Sequence, residues 1–362
     1  MWIYEQADWP HFTWDPEVLT ALLGEVRHRA GLLRGQIEAS PSDLHHEAHV
    51  ETVSRDVVAS SAIEGYHLNS DDVTSSVRGA LRGEQGSVSP DVSGIVNMMV
   101  DATSQYSRPL TPERLFHWHT SLFEDTDDTI TVGRWRDDQT GPMRVISGPV
   151  GKHRIHFVAP PAHTLAQETG HFLTWFNSQK TSDPVVDSGI AHFWFVTLHP
   201  FDDGNGRLAR AIGDMGLARA DQSPTRYYSV SSQILHDRAQ YYKALESQQR
   251  SGLDVTDWLE WYLGCVGRSI DRAHETLNRV MVAKRIFDFL ARNPVSQRQH
   301  TIISRMAKPD FVGHMNTSKY AKMARCSTDT ALRDIRQLLA RNILLPNEAG
   351  GRSTSYRLNV SL

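Results

Sequence analysis

Residues 199–210 read HPFDDGNGRLAR, and this stretch constrains the chain more than any other. It holds an imidazole (His199), two carboxylates (Asp202, Asp203), two glycines flanking an amide (Gly204, Asn205, Gly206) and two guanidinium groups (Arg207, Arg210). Gly204 and Gly206 accept positive φ and let a backbone come close to a ligand. The residues after them, RLARAIGDMGLARA, predict a helix, so the loop offers free N–H groups and the positive end of a helix dipole, an anion site. Arg207 and Arg210, three apart, share one helix face and can hold phosphate oxygens. A guest with several phosphates fits. Asp203 can give Mg²⁺ a hard oxygen ligand. His199, with an ordinary pKa of about 6.5, can take a proton from an incoming hydroxyl. Pro200 and Phe201 are apolar and stiff and anchor the loop. The sum is a phosphoryl or nucleotidyl transfer site.

The same residues fill every fixed position of His-x-Phe-x-(Asp/Glu)-Gly-Asn-Gly-Arg-x-x-Arg, and the stretch resembles the signature of the Fic family. The resemblance implies an enzyme that binds ATP with Mg²⁺ and transfers AMP to a hydroxyl side chain of a target protein or of itself. It implies His199 as general base, Asp203 as metal ligand, and Asn205 with the loop amides of Gly204 and Gly206 as cradle for the α-phosphate. Arg207 and Arg210 would hold the β- and γ-phosphates. The segment GNGRLA also fits the dinucleotide fingerprint Gly-x-Gly-x-x-(Gly/Ala), but that needs a βαβ unit around it. Residues 186–198 contain a short β-prone run with no regular strand and helix alternation, which ranks this reading second.

At 362 residues and 40% hydrophobic content the chain can bury a real core and hold two or three domains. Its formal charge of −4 is unevenly spread. Residues 281–362 carry fourteen Lys and Arg against five Asp and Glu, a balance of +9, which leaves −13 on the first 280. The C-terminal segment therefore suits an acidic partner. Two cysteines, Cys265 and Cys326, exclude a disulfide framework and fit a reducing compartment. With no signal-peptide pattern and no apolar run approaching 18 residues, the expectation is a soluble cytoplasmic protein without membrane attachment.

Residues 1–41 open with Trp2, Tyr4, Trp9, Phe12 and Trp14, read as an extension that docks on the main body, followed by a helix from about Asp15 with Pro16 in its first turn. In 42–65, Val50, Val53 and Val57 recur at helical spacing and Gly65 is placed as a C-terminal cap. Glu64 falls in the last turn, where the helix dipole disfavours its charge and a cationic partner would offset that. Ser60 to Gly65 also matches the (Ser/Thr)-x-x-x-Glu-(Gly/Asn) helix that precedes some Fic cores. That resemblance implies Glu64 pairing with Arg210 and blocking productive γ-phosphate placement. The helix also carries His45, His46 and His49, but HHEAH is not the zinc-protease order, and a solvated face is the simpler reading.

Residues 82–91 read as a polar connection and 92–126 as helices. In 133–161 two β-prone runs, MRVIS and RIHFV, flank a Gly-Pro-Val-Gly turn, a hairpin. By resemblance it is the flap whose edge pairs with a target's backbone, a mode that places few demands on target sequence. The resemblance also places Tyr241 and Gln249 against adenine; Tyr242 is equally readable as core.

After a long helix from about 254 to 293, Pro294 opens a small domain. NTSKYAKMAR and STDTALRDIRQLLARN form two helices, with Ser327 as N-cap, and two strands follow around a Gly-Gly-Arg turn. This is the winged-helix order, with Arg333, Arg336 and Gln337 outside and a DNA or protein partner as the choice. Asp329 and Asp334 lie on or near the presumed reading helix.

The expected fold is mainly α. It comprises an N-terminal extension (1–41), an inhibitory helix region (42–91), a Fic-type helical core with a hairpin flap (92–293) and a winged-helix α+β domain (294–362). The expected function is an autoinhibited protein adenylyltransferase, as a homodimer. Its rivals are removal of AMP by the same site and a winged-helix transcription regulator whose core only senses nucleotide.

Overall fold

The computed structural model describes residues 1–84, 89–124, 130–139, 141–149, 152–178, 183–307, 311, 313–347 and 354–359. Parts of the 82–91 connection, the tip of the Gly-Pro-Val-Gly turn and the Gly-Gly-Arg turn lie outside these residues. The chain divides into two compact units, Met1–Asp271 and Arg272–Leu362. The described residues are mainly helical, with two small antiparallel sheets.

In the first unit the aromatic N-terminal segment packs on the helical body. Trp9 and Phe12 meet Trp194 edge-on at 6.1 and 5.4 Å, and Trp2 meets Phe157 at 5.1 Å. Helix α1 (Pro16–Glu38) begins where the Asp15 carboxylate accepts from the N–H groups of Glu17 and Val18, with Pro16 at its first position. Helix α2 (Ser42–Ile63) buries Val50, Val53 and Val57 along one stripe, and Glu64 caps it ahead of Gly65 at φ 91°. Three further helices follow, α3 (Ser70–Arg82), α4 (Pro90–Ser104) and α5 (Pro112–Leu122). Gly94 lets α4 lie against the Ser121 backbone, where any Cβ would collide.

Strands β1 (Arg144–Ser147) and β2 (Arg154–Val158) form the antiparallel hairpin, with a bulge between Val145 and Ile146. Helix α6 (Leu165–Asn177) leads to α7 (Pro184–Leu198), whose residues from Val185 onward are all buried. Buried on every side, α7 is the central rod of the unit. Beside it runs α8 (Asn205–Asp221), brought close by Gly216, where a Cβ would strike Ser188. Helices α9 (Val230–His236), α10 (Arg238–Gln249) and α11 (Thr256–Arg292) complete the order, the last running past the division between the units.

The second unit adds α12 (Gln297–Ala307), α13 (Thr317–Ala324), α14 (Thr328–Ala340) and an antiparallel pair, β3 (Leu344–Pro346) and β4 (Tyr356–Leu358). Its own core holds Ile286, Leu290, Ile303, Tyr320, Ile335 and Leu338. No helix of the described residues is long and apolar enough to cross a membrane.

Candidate active site

The loop between α7 and α8 carries residues 199–204, and the surrounding helices fix each part of it. His199 ends α7 in the left-handed region at φ 48°, uncommon for a non-glycine residue. Arg136 holds it there. The Arg136 side chain is wholly buried; its Nε donates to the His199 carbonyl at 2.8 Å, its Nη2 to Pro160 O and its Nη1 to Asp138, while its backbone N–H donates to Pro200 O. His199 Nδ1 lies 3.2 Å from Val196 O, so in the neutral ring the proton sits on Nδ1 and Nε2 keeps its lone pair. Burial, aided by the Arg136 charge, pushes its pKa down to about 4.

Phe201 is fully buried and stacks on His119 at 4.1 Å, with Trp135 at 5.1 Å. His119 Nδ1 accepts from Gly133 N–H at 3.1 Å, so its Nε2–H donates to Asp203 O at 3.2 Å; burial lowers its pKa to about 4. The Asn205 side chain is committed twice to the Phe201 backbone, accepting from its N–H and donating to its carbonyl. What Asn205 offers a phosphate is therefore its backbone N–H. Gly204 takes φ 78° ahead of it. The Asp203 carboxylate is half exposed, accepts from Gly204 N–H and lies 3.7 Å from Arg207.

The two arginines lie deeper. Arg207 is set over the rings of Tyr66 and Phe123, at 5.0 and 4.9 Å, and burial lowers its pKa. Arg210 is 1% exposed; Nη2 meets the Glu64 carboxylate at 2.8 Å and Ser60 O at 2.8 Å, and Nε donates to Ser60 Oγ. Burial works against the Arg210 charge, and Glu64, together with Tyr241 and Tyr242, more than restores it. Arg207 Nε and Nη2 and Arg210 Nη1 are buried with no hydrogen-bond partner in the protein. Buried cationic donors left open are costly, and an anion entering the loop would satisfy them.

The structure places the two expected adenine contacts, Tyr241 and Gln249, in the interior. Tyr241 is 1% exposed, with its hydroxyl 2.9 Å from His192 Nε2 and its ring among Tyr242, Trp258 and Trp261, so it has no free face for a base. Gln249 is 5% exposed and donates to Thr197 Oγ1 at 3.3 Å. The exposed member of the tyrosine pair is Tyr242, whose hydroxyl reaches Ile63 O at the end of α2. Burial decides it, because α10 turns Tyr241 onto α7. In α2, His45 Nε2 lies 2.9 Å from Ser40 O.

His119 and Arg136 escaped the sequence reading because no local spacing ties them to a loop 63 or more positions away. The only signal, a histidine on the buried face of α5 and an arginine after a tryptophan, is too common to single them out.

Residues 109–217 match the Fic/DOC family model, and residues 2–82 match a domain of unknown function (DUF4172). The chain is 32% identical over 124 residues to the protein adenylyltransferase Fic of Aedes aegypti, covering 34% of this chain and 22% of that protein. It is 29% identical over 109 residues to protein adenylyltransferase fic-1 of Caenorhabditis briggsae, covering 30% and 20%. The match thus spans about a fifth of these relatives' length. In fold, the chain is similar to a Fic family protein from Desulfovibrio desulfuricans G20, with TM-score 0.54, 21% identity, and 97% of this chain and 98% of that one covered. Caenorhabditis elegans Fic-1 (residues 134–508) gives TM-score 0.50 at 20% identity, over 72% of this chain and 74% of that one.

Proposed function

From a chain that carries a Fic/DOC family domain at residues 109–217, we propose a protein adenylyltransferase that transfers AMP from ATP to a hydroxyl side chain and is held off by Glu64. The observation that carries the reading is the pair of buried arginines at the head of α8, with open donors on both and Glu64 occupying part of Arg210. Glu64 and Ser60 meet only part of this donor set, and a triphosphate would meet the rest.

The donor set suits Mg²⁺–ATP. Asp203 gives one accessible carboxylate, and magnesium is commonly held by one or two carboxylates plus substrate phosphates. When bound, Mg²⁺ neutralises phosphate charge and orients the triphosphate. The protein's residues do the rest. The N–H groups at the start of α8 face the α-phosphate and Arg207 and Arg210 the outer phosphates. Neutral His199 takes the hydroxyl proton on Nε2 as the oxygen attacks the α-phosphorus. The new O–P bond forms as the bond to the β-phosphate oxygen breaks. Pyrophosphate leaves, and the proton stays on His199 until solvent removes it. Glu64 on Arg210 would compete for the guanidinium that the γ-phosphate needs.

Incubation with ATP labelled at the α-phosphate and Mg²⁺ tests this. Labelling of the chain or of added protein rises in Glu64→Gly and disappears in Glu64→Gly/His199→Ala. Equal labelling by the single and double variants removes His199 as base; no labelling by any version removes the transferase reading.

A further inference from the structure

We propose that the helix-turn-helix of the second unit, α13 and α14, binds duplex DNA, with Arg333 and Arg336 presented to the major groove. This is a function separate from the nucleotide site. Helix α13 ends at Arg325 in the left-handed region, Cys326 follows, and Ser327 caps α14 by accepting from Thr330 N–H. Two helices joined by a turn of this length are the arrangement that sets a second helix into a groove.

Helix α14 has two faces. Ala331, Asp334, Ile335 and Leu338 are buried, while Asp329, Arg333, Arg336, Gln337 and Ala340 are exposed along one stripe. The sequence leaves Asp334 as an obstacle to a polyanion, and the structure removes it. Its carboxylate turns inward, where Arg298 grips both oxygens at 2.6 and 3.0 Å and the Tyr320 hydroxyl donates at 3.1 Å. Of the two acids on α14, only Asp329 in the first turn faces out.

Exposed Lys322 and Arg325 at the end of α13 add to the positive charge beside the stripe. Arginine reads guanine O6 and N7 in the major groove, and lysines and arginines alongside meet phosphates. An acidic protein would also answer the charge. It would not call for two arginines spaced along the outward stripe of a helix held by a short turn.

The test uses the full chain and a fluorescent random-sequence duplex of about 30 base pairs, with anisotropy followed from about 50 to 200 mM salt. Binding should weaken steeply with salt. In Arg333→Ala/Arg336→Ala it should weaken about tenfold or more. Labelling by a Glu64→Gly background stays unchanged in that variant, which shows that the chain still folds. Selection from a random duplex library should return a recurrent sequence with the wild type and none with the variant. No retention at low salt, equal retention by the variant, or displacement by ATP with Mg²⁺ overturns the proposal. Displacement by polyglutamate at equal charge also overturns it, since the surface would then dock acidic proteins in general.

Discussion

The Glu64 carboxylate lies so close to Gly206 that any Cβ at that position would collide with it. Gly206 sits in the first turn of α8, so its glycine character answers to a neighbour across space. Alanine there should push the flexible end of Glu64 aside and loosen its hold on Arg210. The same methyl would stand where the proposed phosphates approach the loop. Gly206→Ala should therefore raise labelling a few-fold in the wild-type background and lower it about tenfold, some 1.4 kcal/mol of transition-state stabilisation, in Glu64→Gly. Steady-state rates of the four proteins check the sign reversal; a change in one direction in both backgrounds defeats it.

Removing Glu64 takes away the carboxylate partner of a buried guanidinium while Ser60 keeps two bonds to it. Glu64 is itself partly exposed, so the cost should be about 1–3 kcal/mol, less than for a fully buried pair. A ligand that replaces the lost anion returns that energy by linkage. Glu64→Gly should melt below the wild type without nucleotide and gain more from ATP with Mg²⁺ than the wild type does. Thermal unfolding with and without nucleotide reads both; equal gains in the two proteins would mean that Glu64 and the phosphates do not share Arg210.

The His199–Arg210 stretch was legible because its chemistry is local: a turn, a helix start and two charges three apart need only consecutive residues. The hairpin and the helices were legible from period and caps, and Asp15 and Ser327 cap helices as their sequence positions suggest. What stayed hidden depends on contact between distant segments. Arg136 supports His199, His119 holds Asp203, and Tyr241 is drawn into the core while Tyr242 stays out. Alternation along α10 marks two tyrosines but cannot tell which faces α7. Asp334 likewise reads as a surface acid until Arg298 is placed beside it.

Helix α2 carries Glu64, and Asp56 fastens that helix to the core. Its carboxylate accepts from Arg226 at 3.1 Å, from the Ser229 hydroxyl at 2.6 Å and from Ser231 N–H at 3.1 Å, all in the interior. Arg226 also meets Asp214 of α8 at 2.6 Å. Asp56→Ala leaves the Ser231 N–H open and takes one of two carboxylates from the buried Arg226, and should cost about 3 kcal/mol or more in urea unfolding. Since the loss falls on the anchorage of α2, labelling should rise with Glu64 and Arg210 both intact. A destabilised protein whose labelling does not rise would separate the anchor from the inhibition.

Histidines held as neutral rings set the acid limit of the fold. Burial lowers His119 and His199 to about 4 and His192 to about 3, against about 6.5 in the unfolded chain. Between those values the unfolded chain binds protons that the folded chain refuses, so stability is complete above pH 6.5 and drains away as pH falls towards 4. Each histidine contributes on the order of 1 kcal/mol per pH unit in that window. Asp214 and Asp221, both raised by burial against the pull of Arg226, act in the opposite sense, while His49, lowered by burial, adds to the histidines. Urea midpoints should accordingly drop steeply between pH 6.5 and 4. The rate of Glu64→Gly should stay level from pH 8 down past 6.5, because His199 is already neutral there, and fall only towards pH 5 and below. Arg136 is one of the causes of that low pKa, so Arg136→Gln should move the acid limb to higher pH as well as slowing the reaction. An acid limb at pH 6.5 in the parent, or one that Arg136→Gln leaves in place, would show that His199 does not feel the charge packed against its carbonyl.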